Sequence, residues 1–282
     1  LGGDVTGLVF GNARYFTISG SKYYDANVNG QKDPGEPAVP GINFTVTVNG
    51  VATTATSGAD GTWTAGPFLE GSDWSVVEGS NPGWVQTEPA NNGGYSGTGL
   101  SADVSGLVFG NVKLGAGGGL TIGFWSNRNG QAAMSNQGGG MAANLAFLSD
   151  LCLRTGSGAD FNPASYNAFK NWLLSATATN MSYMLSVQLA AMELNVRLSP
   201  VRNAAGNVVG GVDGNALIYA PGTTSANALG FATVNAVMAE ANTFLCDNGV
   251  VGDGSPLRAY AEALKNALDK ANNNLNFVQP YP

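Results

Sequence analysis

A run of oxygen-bearing side chains near the front of the chain has the spacing of a calcium-binding loop. Ca²⁺ takes about six to eight oxygen ligands, and a loop of the EF-hand type supplies them from positions 1, 3, 5, 7, 9 and 12. Gly30 falls at position 6, where the chain must turn sharply. An ordinary Asn/Asp/Gly turn is the alternative. We predict a structural calcium site with the ligands Asp25, Asn27, Asn29, Gln31 through its backbone carbonyl, Asp33 and Glu36.

The segments that flank this loop are typical of β-strands and not of the helices of an EF-hand. Residues 15–18 are aromatic and β-branched, and residues 42–48 alternate polar and apolar side chains. That period of two indicates a half-buried strand. We therefore expect a bound ion to brace a loop between strands, and no helix-opening calcium sensor.

The composition favours an extracellular or assembled protein. Of 282 residues 41 are glycine, 11% are charged, and the net charge of −7 disfavours nucleic acid and anionic membranes as partners. Histidine is absent, which excludes catalytic and metal centres that use histidine within this chain. No apolar stretch reaches the ~20 residues of a membrane span. Because the sequence begins with Leu1, we expect a signal peptide or pro-segment to have been removed from a secreted, cell-surface protein.

The two cysteines, Cys152 and Cys246, lie far apart in the chain. In an oxidising compartment they can form one disulfide, which closes a long loop and contributes about 2–4 kcal/mol. Two separate buried thiols are the alternative. We predict the disulfide.

A short repeat marks the edge of a module. The segment Asp4–Asn12 recurs at Asp103–Asn111 with one Thr/Ser exchange, and both copies have the pattern of a strand that ends in a Gly-Asn turn. Short strands separated by turn clusters lie between the two copies, and this spacing suggests a β-sandwich. The strands are predicted at residues 43–48, 61–65, 74–78 and 84–87.

The front of the chain resembles a known family. Residues 20–41, GSKYYDANVNGQKDPGEPAVPG, closely resemble the opening of an SdrD B-like domain. Residues 59–63 resemble that family's Asp-x-x-Gly-x-Tyr turn with Trp in the aromatic place, and residues 74–78 with 82–84 resemble its Tyr-x-Val-x-Glu strand and Pro-Gly-aromatic corner. The resemblance covers residues 13–112. It implies a calcium-binding, prealbumin/Ig-like all-β sandwich, related to collagen-adhesin B-type repeats, that acts as a rigid spacer in bacterial surface proteins.

The same resemblance implies further site residues. Some relatives form an isopeptide bond from a Lys/Asn/Glu set; Lys22 and Asn111 are candidates by position only, and no glutamate is assigned. Family members often bind more than one ion, so Asp60 is a candidate ligand of a second calcium ion; otherwise it makes an Asp-Gly turn. In tandem arrays a strand like that of residues 1–12 closes one module before the next begins. Here it can pair locally or be donated to a neighbouring molecule.

Beyond a Gly-rich linker at residues 115–119, the apolar period becomes that of helices. We predict a mainly α-helical assembly domain over residues 120–282, whose opening resembles a poorly characterised C-terminal domain of secreted bacterial proteins. Residues 181–198 are apolar nearly all round, which places that helix in the centre of a bundle or at an interface between copies. Helices are predicted at 141–154, 163–178, 181–198, 226–246 and 256–272, with N-cap signals at Asn162, Asn180 and Ser255 and a small hairpin over 208–219.

The carboxylates of the predicted helices do not identify an enzyme. Glu193, Glu240 and Glu262 are far apart in sequence, and no spacing pairs them for acid/base work. We interpret them as structural or solvated acids, and we predict no enzymatic activity.

These observations predict a multidomain chain with an extension strand at 1–12, a β-sandwich at 13–114, the linker, and the helical domain. The expected function is a secreted structural subunit of a surface layer, sheath or filament, with copies of itself as partners. Surfaces rich in Asn, Gln, Ser and Thr pack against copies without desolvating ions. The alternative is a cell-surface adhesin that recognises a glycan or a protein.

Overall fold

The chain forms two compact units, one that runs through Val112 and one that begins at Lys113. It contains both β-sheets and α-helices, as the sequence predicts. Most of the predicted donor strand, residues 1–12, lies outside the described residues, so that prediction stays open. The computed structural model describes residues 2, 7, 9, 11–198, 201–202 and 208–281.

Two sheets make up the described part of the front unit. Its strands are β1 (Tyr15–Tyr24), β2 (Asn43–Val48), β3 (Val51–Thr56), β4 (Thr62–Leu69), β5 (Trp74–Glu78), β6 (Trp84–Glu88), β7 (Gly94–Gly97) and β8 (Val104–Gly115). One sheet has the order β4-β1-β8, with β6 also paired to β8, and β1 is antiparallel to β4 but parallel to β8. The other sheet, β3-β2-β5-β7, is antiparallel throughout.

Aromatic side chains from both sheets meet in the core of the front unit. Phe44 of β2 stacks on Trp63 of β4 with ring centroids 4.8 Å apart, and Phe109 of β8 lies 4.9 Å from Phe44. Along β2 the buried side chains are Phe44, Val46 and Val48, which is the period of two that a strand with one buried face requires. The two sheets therefore bury their apolar faces against each other.

Two strands of the front unit are not revealed by the sequence pattern. β3 is a Thr/Ala-rich edge strand in which Ala55 alone is buried, so it has no alternating apolar signal. β7 is four residues long and contains two glycines, which are poor strand formers. Both strands are held by pairing with neighbours in the sheet, a long-range effect that a local pattern does not carry.

The back unit is mainly helical, with short strands. The strand β11 pairs with both β12 and β13, and β13 pairs with the end of β8. The elements are α1 (Ile122–Trp125), α2 (Arg128–Asn136), α3 (Met141–Ser149), α4 (Tyr166–Leu174), α5 (Met181–Arg197), β9 (Val201–Arg202), β10 (Val208–Gly210), β11 (Leu217–Tyr219), β12 (Phe231–Thr233), α6 (Val234–Asp247), α7 (Arg258–Asn272) and β13 (Phe277–Val278).

Helix α5 lies at the centre of the back unit, buried on nearly all sides and packed against α6 and α7. Its buried amide side chains are paired: Asn195 accepts from the Trp125 indole at 3.2 Å and donates to Asn272 at 2.8 Å. Asn272 in turn donates to Gln188 at 2.8 Å. Buried amides are costly unless they are hydrogen-bonded, so this network fixes the register of α5 against α7. Within the described residues, no helix is long and apolar enough to cross a membrane.

Two helices start later than the apolar pattern predicts, because a nearer hydroxyl caps them. The helix expected at 163–178 begins about a turn late, after Ser165, whose hydroxyl accepts a first-turn N–H. The helix expected at 226–246 begins after Thr233, because the residues before it pair as β12. The expected cap Asn180 does cap α5.

The predicted hairpin over residues 208–219 is wrong. β10 pairs with β9, and β11 pairs with β12 and β13, so the two halves of that segment bond to different partners. The turn between them is present, with the Asp213 carboxylate accepting from Asn215 N–H at 2.9 Å. The sequence therefore predicts the turn correctly but not the strand pairing, because the partners of β11 are distant in sequence.

The segment predicted as a Gly-rich linker is held by one asparagine. The N–H groups of Gly117, Gly118 and Gly119 all donate to Asn274 Oδ1 at 2.8–3.1 Å. A Cβ at Gly119 would lie 2.1 Å from the carbonyl oxygen of Ala271. Glycine here allows the chain to pass close to the end of α7.

Candidate functional site

A lysine, a glutamate and an asparagine meet in the core of the front unit; we call them the triad (Lys22, Glu78 and Asn111). Lys22 shares the inward face of β1 with Ile18, and its side chain is 0% exposed. Asn111 lies on the parallel neighbour β8, in register with Tyr24, and is also buried. Alternation along the two strands therefore turns both side chains toward the opposite sheet.

Glu78, at the end of β5 in the opposite sheet, joins the other two members of the triad. Its Oε2 lies 3.3 Å from Lys22 Nζ, and its Oε1 accepts a 2.5 Å hydrogen bond from Asn111 Nδ2. Asn81 donates a longer bond of 3.4 Å to the same Oε1. The carboxyl group thus bridges an amine and an amide, and all three side chains are buried.

Burial disfavours the charged forms of both ionisable groups. It lowers the pKa of Lys22 to about 8, although the charge of Glu78 opposes the shift. Burial likewise raises the pKa of Glu78, against the effect of Lys22. Because the two values move toward each other, transfer of one proton from Lys22 to Glu78 gives a neutral amine beside a carboxylic acid. The neutral amine is the nucleophilic form of lysine.

This arrangement can form an amide bond between the side chains of Lys22 and Asn111. The Nζ lone pair attacks Cγ of Asn111 while protonated Glu78 donates to the amide oxygen, and the new C–N bond forms. Glu78, now a carboxylate, takes a proton from the attacking nitrogen and delivers it to Nδ2. The bond from Cγ to Nδ2 then breaks, ammonia leaves, the C=O bond re-forms, and the proton on the former amide oxygen returns to Glu78. Among the described residues, Asn111 Oδ1 has no hydrogen-bond partner. A half-turn of the Asn111 amide group would place Oδ1 next to Glu78, where the protonated carboxyl group can donate a hydrogen bond to it.

A polar cleft of about 300 Å³ reaches two members of the triad. Because ammonia is small and polar, such a cleft provides a route by which it can leave the core. The lining residues are Glu78, Gly79, Ser80, Asn81, Trp84, Gln86, Asn92 and Asn111.

The sequence singles out Lys22 and Asn111 by position and gives no role to Glu78. The position of Lys22 in its strand is one such signal. Side chains alternate between the two faces of β1, so Lys22 lies on the same inward face as the buried Ile18, where an apolar residue is expected. Glu78 stands two residues after the fully buried Val76 and so shares its inward face. A charged residue at an inward strand position is the pattern that could have identified both.

The predicted calcium ligands form a loop that is closed by its own carboxylates. Asp25 is buried, and its oxygens accept backbone N–H groups of the loop, among them that of Asn29 at 3.0 Å. Glu36 reaches back to the start of the loop, where it accepts from Ala26 N–H at 2.8 Å, and it also accepts from Asp33 N–H at 3.0 Å. The first and last positions of the loop are therefore brought close together.

The side chains at positions 3, 5 and 9 of this loop meet at one point. Asn27 Nδ2 and Asn29 Nδ2 both donate to Asp33 Oδ2, at 2.7 and 2.6 Å. A half-turn of either amide places its oxygen where its nitrogen now lies. Two amides and a carboxylate can then offer oxygens to one cation, which is the donor chemistry that Ca²⁺ takes.

The fit to a metal depends on neutral oxygens. Within the described ranges, no group of three or more His, Cys, Asp or Glu side chains is placed to hold a metal ion. Amide and backbone oxygens would have to supply much of the coordination, a donor set that suits Ca²⁺ and does not suit zinc. The residues that would hold the ion are Asp25, Asn27, Asn29, Gln31, Asp33 and Glu36.

The loop is anchored to the core at Val28. Val28 and Gly30 have φ angles of 57° and 72°, in the left-handed region that glycine adopts freely and β-branched residues rarely adopt. The side chain of Val28 is 3% exposed, so its burial offsets the unfavourable backbone conformation. The loop is therefore held in shape by packing as well as by its carboxylates.

Asp60, the candidate for a second calcium site, makes a local turn. Its Oδ1 accepts from the hydroxyl of Thr62 at 2.7 Å and from the N–H of the same residue at 3.0 Å. These bonds, the hydroxyl first, lower the pKa of Asp60. The geometry is that of the Asp-Gly turn given as the alternative, and a second ion stays a prediction.

In the back unit, Cys152 and Cys246 form a disulfide with Cα atoms 5.0 Å apart. Arg154 binds the same region, donating to the carbonyl oxygens of Leu245 and Cys246 at 2.8 Å each. The covalent bond and the guanidinium together tie the end of α6 to the segment that follows α3.

The three glutamates of the helical unit have separate structural surroundings. Glu240 accepts two backbone N–H groups from residues 224–225 at 2.7 Å each, and such bonds lower its pKa although burial opposes this. Glu262 accepts from Arg258 Nε at 2.7 Å. Burial raises the pKa of Glu193 on α5. The three side chains lie on three different helices, and the hydrogen bonds of Glu240 and Glu262 are made to different partners.

Comparison with known proteins finds no protein-family model and no curated protein that matches the chain. Among solved structures, the Bacillus anthracis TIE protein is 17% identical over 35% of this chain and 17% of its own, with a TM-score of 0.26. The pilus-presented adhesin Spy0125 is 16% identical over 34% and 26%, with a TM-score of 0.23. The shaft pilin SpaA from Lactobacillus rhamnosus GG is 18% identical over 36% and 51%, with a TM-score of 0.24. The chain spans about half or less of the length of each of these structures.

The burial of Lys22 predicts a pH-dependent stability in a variant that cannot form the amide bond. Burial lowers the pKa of unreacted Lys22 from 10.5 to about 8. N111A keeps the lysine unreacted, so in this variant the unfolded chain should bind more protons than the folded chain between these values. The free energy of unfolding should therefore rise across that pH window, by on the order of 1–3 kcal/mol. Urea unfolding at several pH values measures it, with K22M/N111A as the matched control. Equal pH slopes in the two variants would contradict the assignment.

Proposed function

We propose that this protein is a secreted structural subunit of an extracellular surface assembly, and that its front unit is a calcium-binding β-sandwich stiffened by an amide bond between Lys22 and Asn111. The single observation that carries the proposal is the burial of the triad, with the Glu78 carboxyl in contact with both the amine and the amide. A covalent tie between the first and the eighth strand suits a part that must keep its shape under load.

The energetics of the triad support a reactive function. A buried ammonium and carboxylate cost several kcal/mol each in desolvation, and their attraction offsets this only in part. Reaction of Lys22 with Asn111 removes the amine charge permanently and leaves a neutral amide in the core. The substrate is the protein's own side chain, so each molecule reacts once and the chain is no enzyme in the usual sense.

Calcium would add a second tie to the same unit. The predicted ligands begin at Asp25, three residues after Lys22, and the loop returns to its start through Glu36. An ion bound there would hold the loop to the end of β1, next to the strand that carries the reactive lysine. Binding to the folded state alone would stabilise the front unit.

The surface chemistry favours copies of the chain as partners. With 11% charged residues and a net charge of −7, few ions have to be desolvated when two copies pack together. Strand donation by residues 1–12 is one route to such an assembly. Recognition of a glycan or protein by the helical unit is the alternative function that an assembly assay has to separate.

Intact-mass spectrometry tests the amide bond directly. The wild-type chain should weigh less than its sequence mass by one ammonia, and peptide mapping should locate a bond between Lys22 and Asn111. K22A and N111A should have their full sequence masses, and so should E78Q, because it cannot transfer the proton. Lys270→Ala, at an exposed lysine of the back unit, should keep the mass loss. A full-mass wild-type chain would refute the proposal.

Calorimetry with Ca²⁺ and with a chelator tests the ion. At a free concentration of 100 times Kd, a bound ion should stabilise the folded chain by about 2.7 kcal/mol and raise its melting temperature. E36Q should lose this shift, because a neutral side chain replaces the carboxylate that closes the loop. D60N is the matched control. If it keeps the Ca²⁺-dependent rise in melting temperature, the stabilisation comes from the loop of residues 25–36 and not from Asp60. Superimposable melting curves with Ca²⁺ and chelator would remove the calcium assignment.

Negative-stain microscopy of the purified chain tests assembly. Polymers should form with Ca²⁺ and should disappear when residues 1–12 are deleted, while circular dichroism shows that the deleted chain still folds. Polymers that survive the deletion would exclude strand donation. A discrete monomer that binds a glycan array would favour the adhesin.

A further inference from the structure

The duplicated segment carries a copy of the reactive asparagine. Asp4–Asn12 matches Asp103–Asn111 at every position but one, a Thr/Ser exchange, and the second copy is the part of β8 that ends in the triad. In this alignment Asn12 takes the place of Asn111. A second asparagine therefore stands at the end of a second copy of the same sequence.

Contacts at both ends of β8 require particular residue types, and the first copy has the same residue types at the matching positions. At the start, Asp103 Oδ1 accepts from the N–H of Thr17 at 2.7 Å and from its hydroxyl at 3.0 Å. The first copy has Asp4 there. At the end, a Cβ at Gly110 would lie 2.5 Å from the ring of Tyr23, so glycine is required, and the first copy has Gly11.

The residues in the middle of β8 are also matched by the first copy. Leu107 and Phe109 of β8 are buried in the core, and Leu8 and Phe10 are the residues of the first copy at these positions. Gly106 has a φ of 76°, a left-handed conformation that favours glycine. Its counterpart Gly7 is also glycine and has a φ of 84°.

The first copy cannot reach the β8 position of its own chain. In β8 the reactive asparagine lies beside Tyr24, at the far end of β1. At ~3.3 Å per residue, β1 from Tyr15 to Tyr24 spans roughly 30 Å. Asn12 precedes Tyr15 by three residues, which extend over at most ~11 Å. Residues 4–12 can therefore take the β8 position only in a different molecule.

We propose that residues 4–12 of one copy dock as the β8 strand of a second copy, where Asn12 becomes the acceptor of that copy's Lys22. The step is the one derived for Asn111, and the inference rests on that proposed reaction. Nζ of Lys22 attacks Cγ of Asn12, a C–N bond forms, the bond to Nδ2 breaks, and ammonia leaves with the proton transferred through Glu78. The product is a covalent link between two copies.

Competition within the receiving copy controls this link. Each Lys22 bonds to one asparagine only, and the copy's own β8 normally holds Asn111 beside it. Once Lys22 has reacted with Asn111 the position is closed. Exchange into the β8 position is therefore restricted to chains that have folded but not yet reacted, or to chains without Asn111; donation between reacted chains would have to use another sheet edge.

The test uses the full chain with two substitutions, N12A and N111A, so that it carries no acceptor of its own. The chain is unfolded in denaturant and refolded with an excess of a synthetic peptide of residues 1–14. We expect a covalent adduct whose mass is the sum of the two less one ammonia, with the bond mapped to Lys22 and Asn12. The same peptide with N12A, and the chain with K22M added, should give no adduct.

Refolding is followed by tryptophan fluorescence, and a chain with N12A and N111S serves if the first does not refold. A refolded chain that yields no adduct, or a bond mapped to another lysine, overturns the inference. The mass of the wild-type chain distinguishes failure of the intermolecular bond from failure of the internal bond. An ammonia loss at Lys22 and Asn111 without any peptide adduct leaves the internal bond standing and removes the intermolecular one.

Discussion

The contact between the Glu78 carboxyl and the Lys22 amine is the constraint on which the front unit depends. The two groups come from opposite sheets and are both buried, so the sheets must pack closely enough to keep water out and yet bring the charges within 3.3 Å. Only a strand parallel to β1 and in the register of β8 then places Asn111 on the same face. The parallel pair, the register and the aromatic core around Phe44 and Trp63 all serve this one geometry.

The back unit solves the problem of buried polarity with amides in place of charges. Asn195, Asn272 and Gln188 satisfy one another in the core of the helices, and Asn274 gathers three glycine N–H groups. A neutral amide donates and accepts at once, so most of this network consists of neutral groups, and it ends where Gln188 donates to the partly exposed carboxylate of Asp269 at 3.1 Å. The low charge of the whole sequence is thus expressed in two ways: one buried ion pair in the front unit and several paired amides in the back unit.

Much of this organisation is readable from the sequence where the information is local. The period of two over residues 43–48, the all-round apolar α5 and the Asn180 cap each depend on neighbouring residues alone. The role of Glu78 could not be read in that way, because its partners come from strands at the two ends of the unit. The same reason hides β3 and the partners of β11, which are defined by pairing across the chain. The ligand spacing of residues 25–36 is visible in sequence, but whether an ion sits among them is a property of binding.

The parallel pairing of β1 with β8 has a mechanical consequence. A bond from Lys22 to Asn111 would give tension a short path, along β1 to the lysine, across the amide, and out through the few residues between Asn111 and the back unit. Everything between positions 22 and 111, including the calcium loop and six whole strands of the two sheets, would then lie outside the path that carries the load. Those segments would carry little of the load, although Glu78 among them must keep its place for the bond to form.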